Sequence, residues 1–314
     1  MRIPPLTIAL ISLIPSIGIC IFVYFKDKKE KEPLWLLASL FAVSAALYVP
    51  VYYLGNKLLN GFIGVLFKGS RYFDARQGVV WRDAVSQNVH NALCAVIGVA
   101  LIEELTRWLI LYFFTNRSRH FNCTFDGVVY SIMVSMGALV ARNVRFAFET
   151  TWDQFLLRFA HSFPWYLLFG IVMGVFYSYW HASKRANRRE NELISEGKLK
   201  KDKLRYPAGK LILSIAVPVI LHAVYTFVAE QLDFSSRTLN IVFYAIAAAM
   251  MIVSILLVVL LSRRDTTERA AIERIIEKEH GDLPDEYYEP LEEDSGESAD
   301  SGAENAEKEK NGDE

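Results

Sequence analysis

Predominantly apolar stretches recur along the chain at about 5–25, 34–54, 90–114, 126–148, 154–180, 210–230 and 238–262. Each is near the roughly 20 residues that cross a hydrocarbon core as a helix. Lipid leaves no water for unpaired backbone groups, so the pattern predicts an all-α, polytopic transmembrane helix bundle of about seven spans. The intervening loops alternate in charge. Lys26, Lys28, Lys29 and Lys31 follow the first stretch; Arg117, Arg119 and His120 follow the third. Ten basic against four acidic residues occupy 182–210 after the fifth, and Arg263 and Arg264 close the seventh. Segment 149–153 has no basic residue and 230–237 has one. The exception is 55–89, which is longer and mixed. Basic loops stay cytosolic, which predicts a multi-pass cell-membrane protein with its amino terminus outside and its carboxyl terminus in the cytosol.

Between the spans, the apolar run 58–67 predicts an interfacial helix lying against the bilayer. Residues 182–205 predict a solvated continuation of the fifth span. The chain divides into a membrane domain, 1–262, and a cytosolic acidic tail, 263–314. In the tail, Ala270, Ile272, Ile275 and Ile276 have helical spacing, and the composition after Gly281 predicts disorder. Tyr287 and Tyr288 are expected to be solvated.

Hydrophobic residues make up 53% of the 314, and a net charge of −1 conceals a strong asymmetry. From Asp265 onward there are 19 acidic and 5 basic residues, leaving 29 basic and 16 acidic in the body. A basic membrane body facing anionic lipid thus carries an acidic tail suited to a cytosolic partner, and the basic loops read as topological rather than nucleic-acid-binding. The cysteines, Cys20, Cys94 and Cys123, form no CxxC pair, which excludes a zinc ribbon or disulfide framework. The first span ends in bulky residues rather than a small-residue cleavage site and is expected to be a retained anchor.

Against this background Glu103, Glu104 and Arg107 stand out at the centre of the third span. Three charges at that depth cost on the order of 8 kcal/mol unless they pair or face a wet cavity. Spaced i,i+4 and i,i+3, the glutamates and the arginine can meet on one helix face. Two carboxylates in a low-dielectric site cannot both ionise cheaply, which makes one a candidate general acid or base. The other spans hold Arg142 and Asn143 in the fourth, Arg158, His161 and Tyr166 in the fifth and His222 in the sixth. Glu103, Tyr166 and His222 fall within a few residues of their span midpoints, and Arg142 and His161 about two turns or less toward the outer face. That shared depth predicts one site.

Glu103-Glu104-x-x-Arg107, then Phe125-Asp126-Gly127-Val128-Val129-Tyr130, Asn143, Arg158, Gly170, Gly174 and Leu221-His222-Ala223 resemble the PrsW family of intramembrane proteases over about 90–230. The resemblance implies proteolysis of a single-span membrane protein such as an anti-sigma factor. Glu103, Glu104 and His222 would be catalytic, with Arg107, Arg142, Asn143, Arg158 and Tyr166 in support. It also implies a divalent metal such as zinc on Glu103, Glu104 and His222. The chain departs from the family where Ala138 and Arg142 stand for a glutamate, Tyr166 for a histidine and Thr226 for Asp or Asn. Arg142 would neutralise the glutamates and repel a cation, which disfavours the metal and leaves no cofactor certain. Two rival readings follow: a catalytically inactive adaptor that binds a membrane segment, and an ion-coupled transporter. The motifs HExxH and GxSxG are absent.

Overall fold

The computed structural model describes residues 4–74, 78–149, 152–200, 207–231 and 237–288. Nine α-helices are found among them: α1 (Pro5–Lys26), α2 (Leu34–Leu66), α3 (Ala84–Leu93), α4 (Ile102–Thr115), α5 (Asp126–Glu149), α6 (Trp152–Ser195), α7 (Ala208–Gln231), α8 (Arg237–Arg263) and α9 (Glu268–His280). Five of them, α2, α5, α6, α7 and α8, are long and apolar enough to cross a membrane. The apolar α1 and the continuous run from α3 to α4 bring the apolar segments to about seven, and the fold is an all-α membrane bundle.

Local chemistry sets several boundaries. Pro33 precedes α2 with its carbonyl accepting from Leu36 and Leu37, so the helix starts where a proline cannot extend one backward. The Asp83 side chain caps α3 by accepting from Ser86 N at 2.6 Å. Two expectations change. Residues 58–66 do not form a separate interfacial helix; they continue α2, with Leu58, Phe62 and Val65 on its exposed face. Segment 55–89 also contains a hairpin, β1 (Arg71–Asp74) paired antiparallel with β2 (Gly78–Trp81), built from β-favouring Tyr, Val and Trp in strands too short for an apolar-span search to register.

Helix α5 forms the centre, packed against α1, α2 and α6. Its close approach to α6 depends on missing side chains. A Cβ on Gly174 would stand 2.6 Å from Val128 Cα, and one on Gly170 would stand 2.7 Å from Ser135 Oγ. Small residues let helix backbones approach in this way, so that dispersion and interhelical hydrogen bonds hold them together in lipid. Here Ser131 Oγ donates to the Gly170 carbonyl at 2.6 Å.

The loops after α1, α4 and α8 meet at one end of the bundle. Thr124 N donates to Thr266 O at 3.0 Å, and Ser262 Oγ donates to Lys26 O. In the α1–α2 loop, burial pushes the Asp27 carboxyl up to about 6 and Glu32 up to about 7. Helix α6 continues well past its apolar part and carries α9 on that extension, through an Arg185–Glu268 ion pair and a cluster of Ala186, Ile272, Ile276 and Tyr288. Tyr288 is therefore buried rather than solvated, and a short turn over Asp285–Tyr288 replaces the disorder expected directly after Gly281. The acidic sequence beyond Tyr288 and the basic run 201–206 lie outside the described residues.

Replacing Gly174 with valine is expected to force α5 from α6 and lower stability by about 1–3 kcal/mol or more, as overpacking does. Thermal unfolding in detergent measures it, with Gly209→Val, where a Cβ meets nothing within 4 Å, as the control.

Candidate active site

The approach to the site is made by an irregular helix. Between α3 and α4, residues Cys94–Leu101 are π-helical. This wider winding is often found at functional sites. Directly after it come Ile102, Glu103 and Glu104, the first turn of α4, all buried. The two adjacent glutamates point to different partners.

Glu104 is held by nitrogen donors. Its Oε1 accepts from the Arg107 guanidinium one turn on, and from His222 Nδ1 of α7 at 2.7 Å. Arg107, 1% exposed, also reaches Ser135 Oγ of α5 at 3.3 Å and lies 4.8 Å from the Tyr166 ring centre. The His222 ring stacks on Phe169, with centroids 4.8 Å apart and planes at 24°. Since Nδ1 donates to Glu104, the imidazole presents Nε2 to Glu103, 3.9 Å from Oε2.

Glu103 is held by hydroxyls. Tyr48 of α2 donates to Oε1 at 2.8 Å and Tyr166 of α6 donates to Oε2. Glu103 also lines a narrow crevice, with room for about one water molecule, between α2, α4 and α5, together with Ser44, Tyr48, Val51, Tyr52 and Thr106. A charge that would be prohibitive in hydrocarbon is thus surrounded by donors and has access to an opening.

The structure brings Glu103, Glu104, Arg107, Tyr166 and His222 into one cluster from three helices. Arg142 stands near Glu103 rather than Glu104. The direct cationic partner of Glu104 is Arg107, while the Arg142 guanidinium lies 5.2 Å from the Tyr166 ring centre and hydrogen-bonds Tyr225. It remains close enough to Glu103 for their charges to attract. A second polar layer follows toward the start of α6: His161 Nδ1 sits 2.5 Å from the Tyr225 hydroxyl, and Arg158 covers the Phe146 ring at 4.8 Å. Asn143 is buried, and its Nδ2 has no partner among the described residues.

Tyr48, Ser135 and Phe169 belong to the site without having been singled out from sequence. A tyrosine or serine in an apolar span usually packs or bonds locally, and nothing in one chain marks those that face another helix. Only the similar depth of Tyr48 in its span could have drawn attention to it.

Residues 32–260 match the family described as PrsW family intramembrane metalloprotease. A protein named Protease PrsW from Oceanobacillus iheyensis is 24% identical over 241 residues, 77% of this chain and 90% of the relative. The Geobacillus kaustophilus protein of that name is 24% identical over 211 residues, 67% and 74% of the two chains. The Bacillus subtilis one is 23% identical over 232 residues, 74% and 84%. No solved structure matches the chain.

That family description implies a metal, and the donor set here does not fit one. Glu104 Oε2 and His222 Nε2 are buried without a partner among the described residues and are the atoms a metal would use. But both Glu103 oxygens accept hydroxyls, Glu104 Oε1 is taken by Arg107 and His222, and the Arg107 and Arg142 guanidiniums lie close to the two carboxylates. The sets that bring three ligand atoms within 4.8 Å of one another, among the described residues, lie elsewhere. A third positive centre among these groups would be repelled.

Arg107→Met is expected to cost about 3–5 kcal/mol, because it leaves Glu104 buried without its guanidinium. Combining it with Glu104→Leu is expected to restore most of that loss, since an apolar pair can replace a buried ion pair. Unfolding midpoints of the single and double variants in detergent check both.

Proposed function

Because the chain belongs to the PrsW family of intramembrane metalloproteases, we propose that it hydrolyses a peptide bond of a single-span membrane protein, such as an anti-sigma factor, with Glu103 activating the water. The observation that carries this reading is the division of labour between adjacent glutamates: Glu104 is locked to Arg107 and His222, whereas Glu103 lines the crevice. A substrate backbone unwound at that crevice would place its carbonyl beside Glu103.

In the reaction, Glu103 takes a proton from water as the water oxygen bonds to the carbonyl carbon. The oxyanion that forms is within range of donors such as the Tyr48 and Tyr166 hydroxyls and the Arg142 guanidinium. When the C–N bond breaks, the proton passes to the leaving nitrogen, and His222 Nε2, 3.9 Å from Glu103 Oε2, lies on that route. Glu104 and Arg107 hold the imidazole in the required tautomer. The products are a carboxylate and an amine. The chain's own groups suffice for each transfer, and zinc is disfavoured by the charge already present. We place the amino terminus outside the cell and the acidic tail in the cytosol, available to a partner there.

A second reading has its own support. Tyrosine hydroxyls on both oxygens of Glu103 and the nearby guanidiniums weaken it as a base. In that reading the bundle grips a membrane segment without cutting it, and the tail recruits a partner. Reconstitution in liposomes with a candidate single-span substrate separates the two. Proteolysis predicts cleavage that Glu103→Gln lowers about 10²-fold or more and that a zinc-selective chelator, with calcium and magnesium kept in excess, leaves unchanged. An adaptor predicts no cleavage by wild type, with activity gained in Arg142→Glu combined with Tyr166→His.

A further inference from the structure

A second group of carboxylates lies at the end of the bundle where the loops meet, away from the glutamates. We propose that Asp27, Glu32 and Asp126 bind a hard divalent cation of the Ca²⁺ or Mg²⁺ class that fastens the α1–α2 loop to the start of α5. The three residues each offer a ligand oxygen within 4.8 Å of the other two. Oxygens on opposite sides of a calcium ion, at about 2.4 Å each, lie about 4.8 Å apart, so the group is of a size one such ion spans. All the donors are oxygens, which excludes the softer metals that seek sulfur or imidazole.

The decisive observation is what these carboxylates lack. Asp27 is 0% exposed, and neither of its oxygens has a hydrogen-bond partner among the described residues. Asp126 is also fully buried; its Oδ2 caps the loop before α5, accepting from Asn122 N at 2.9 Å and Cys123 N at 2.6 Å, while Oδ1 has no partner. Glu32 accepts the Tyr130 hydroxyl. The nearest ammonium, Lys31, donates to the backbone carbonyls of Tyr24 and Asp27 instead of to the carboxylates. Asp265, from the linker after α8, adds a fourth acid nearby: its Oδ1 accepts from Phe125 N at 2.9 Å and Thr124 Oγ1 at 3.1 Å, and its Oδ2 has no partner. Buried carboxylates are ordinarily paired, hydrogen-bonded or metal-bound. One cation would satisfy the open oxygens of Asp27 and Asp126 at once, from separate parts of the chain, which a single shared proton cannot do.

The cation would therefore sit where the amino-terminal hairpin, the α5 start and the link to α9 converge. Asp126 precedes Ser135, the α5 contact of Arg107, by nine residues, about 13 Å along a helix at 1.5 Å per residue. Binding can accordingly be read without any cleavage assay.

The test uses the full-length protein in detergent, stripped with chelator and then titrated with CaCl₂ or MgCl₂ while its unfolding midpoint is followed. Terbium serves as a luminescent stand-in, excited through nearby tyrosine such as Tyr130. Expected are a saturable rise in midpoint and a saturable terbium emission displaced by calcium. Asp27→Asn is expected to weaken the calcium affinity at least tenfold; Glu32→Gln serves the same purpose should Asp27→Asn fail to fold. Glu190→Gln, in the separate Glu190–Glu279–His280 cluster, is expected to leave binding intact. The proposal is overturned if neither cation shifts the midpoint, if terbium emission survives both carboxylate variants, or if Glu190→Gln removes it.

Discussion

A carboxylate buried among apolar helices persists only if donors reach it from several sides, and Glu104 meets that condition through Arg107 and His222. This link sets the architecture around it. Arg107 extends it to Ser135, tying α4 to α5, and His222 extends it to α7, so three helices are held at one depth by one carboxylate. Fixing Glu104 also fixes its neighbour. Successive residues on a helix point about 100° apart, so locking one side chain toward α7 turns Glu103 toward α2, where Tyr48 and the crevice lie. The reactive direction of one glutamate is thus a consequence of the structural anchoring of the other.

The departures from the family pattern form a coherent set. At the positions where the resemblance leads one to expect a histidine and a glutamate, Tyr166 supplies a hydroxyl donor and Arg142 a positive charge. Each substitution alone would leave a mismatch. Together they surround Glu103 with donors for an anion, while Glu104 Oε2 and His222 Nε2 stay without a partner among the described residues. This is the arrangement that a negatively charged intermediate would favour, and equally the one that would stabilise a bundle no longer cutting anything.

Much of this was legible in the chain because charge inside an apolar span is conspicuous. Glu103, Glu104, Arg107 and His222 announced themselves by their cost in lipid, and the alternation of basic loops placed them at one depth. The helices followed from runs of apolar residues of the right length. Less visible was everything decided by contact between helices. Tyr48 looks like any packing tyrosine until α4 stands opposite it. The choice of Arg107 over Arg142 as the partner of Glu104 depends on helix rotation, which composition does not encode. The hairpin before α3 leaves little trace in the sequence because its four-residue strands are far shorter than the apolar spans around them. Asp27 and Glu32 read as ordinary loop acids, since only the fold brings Asp126 between them.

Helix α2 runs for 33 residues, Leu34 to Leu66. At 1.5 Å per residue that is about 50 Å, against a hydrocarbon core of about 30 Å. Such a helix must lean, emerge or deform the lipid around it. Tyr48, one of the two hydroxyls on Glu103, is carried by this helix. A bilayer thickness that changes the lean of α2 would therefore move one wall of the crevice.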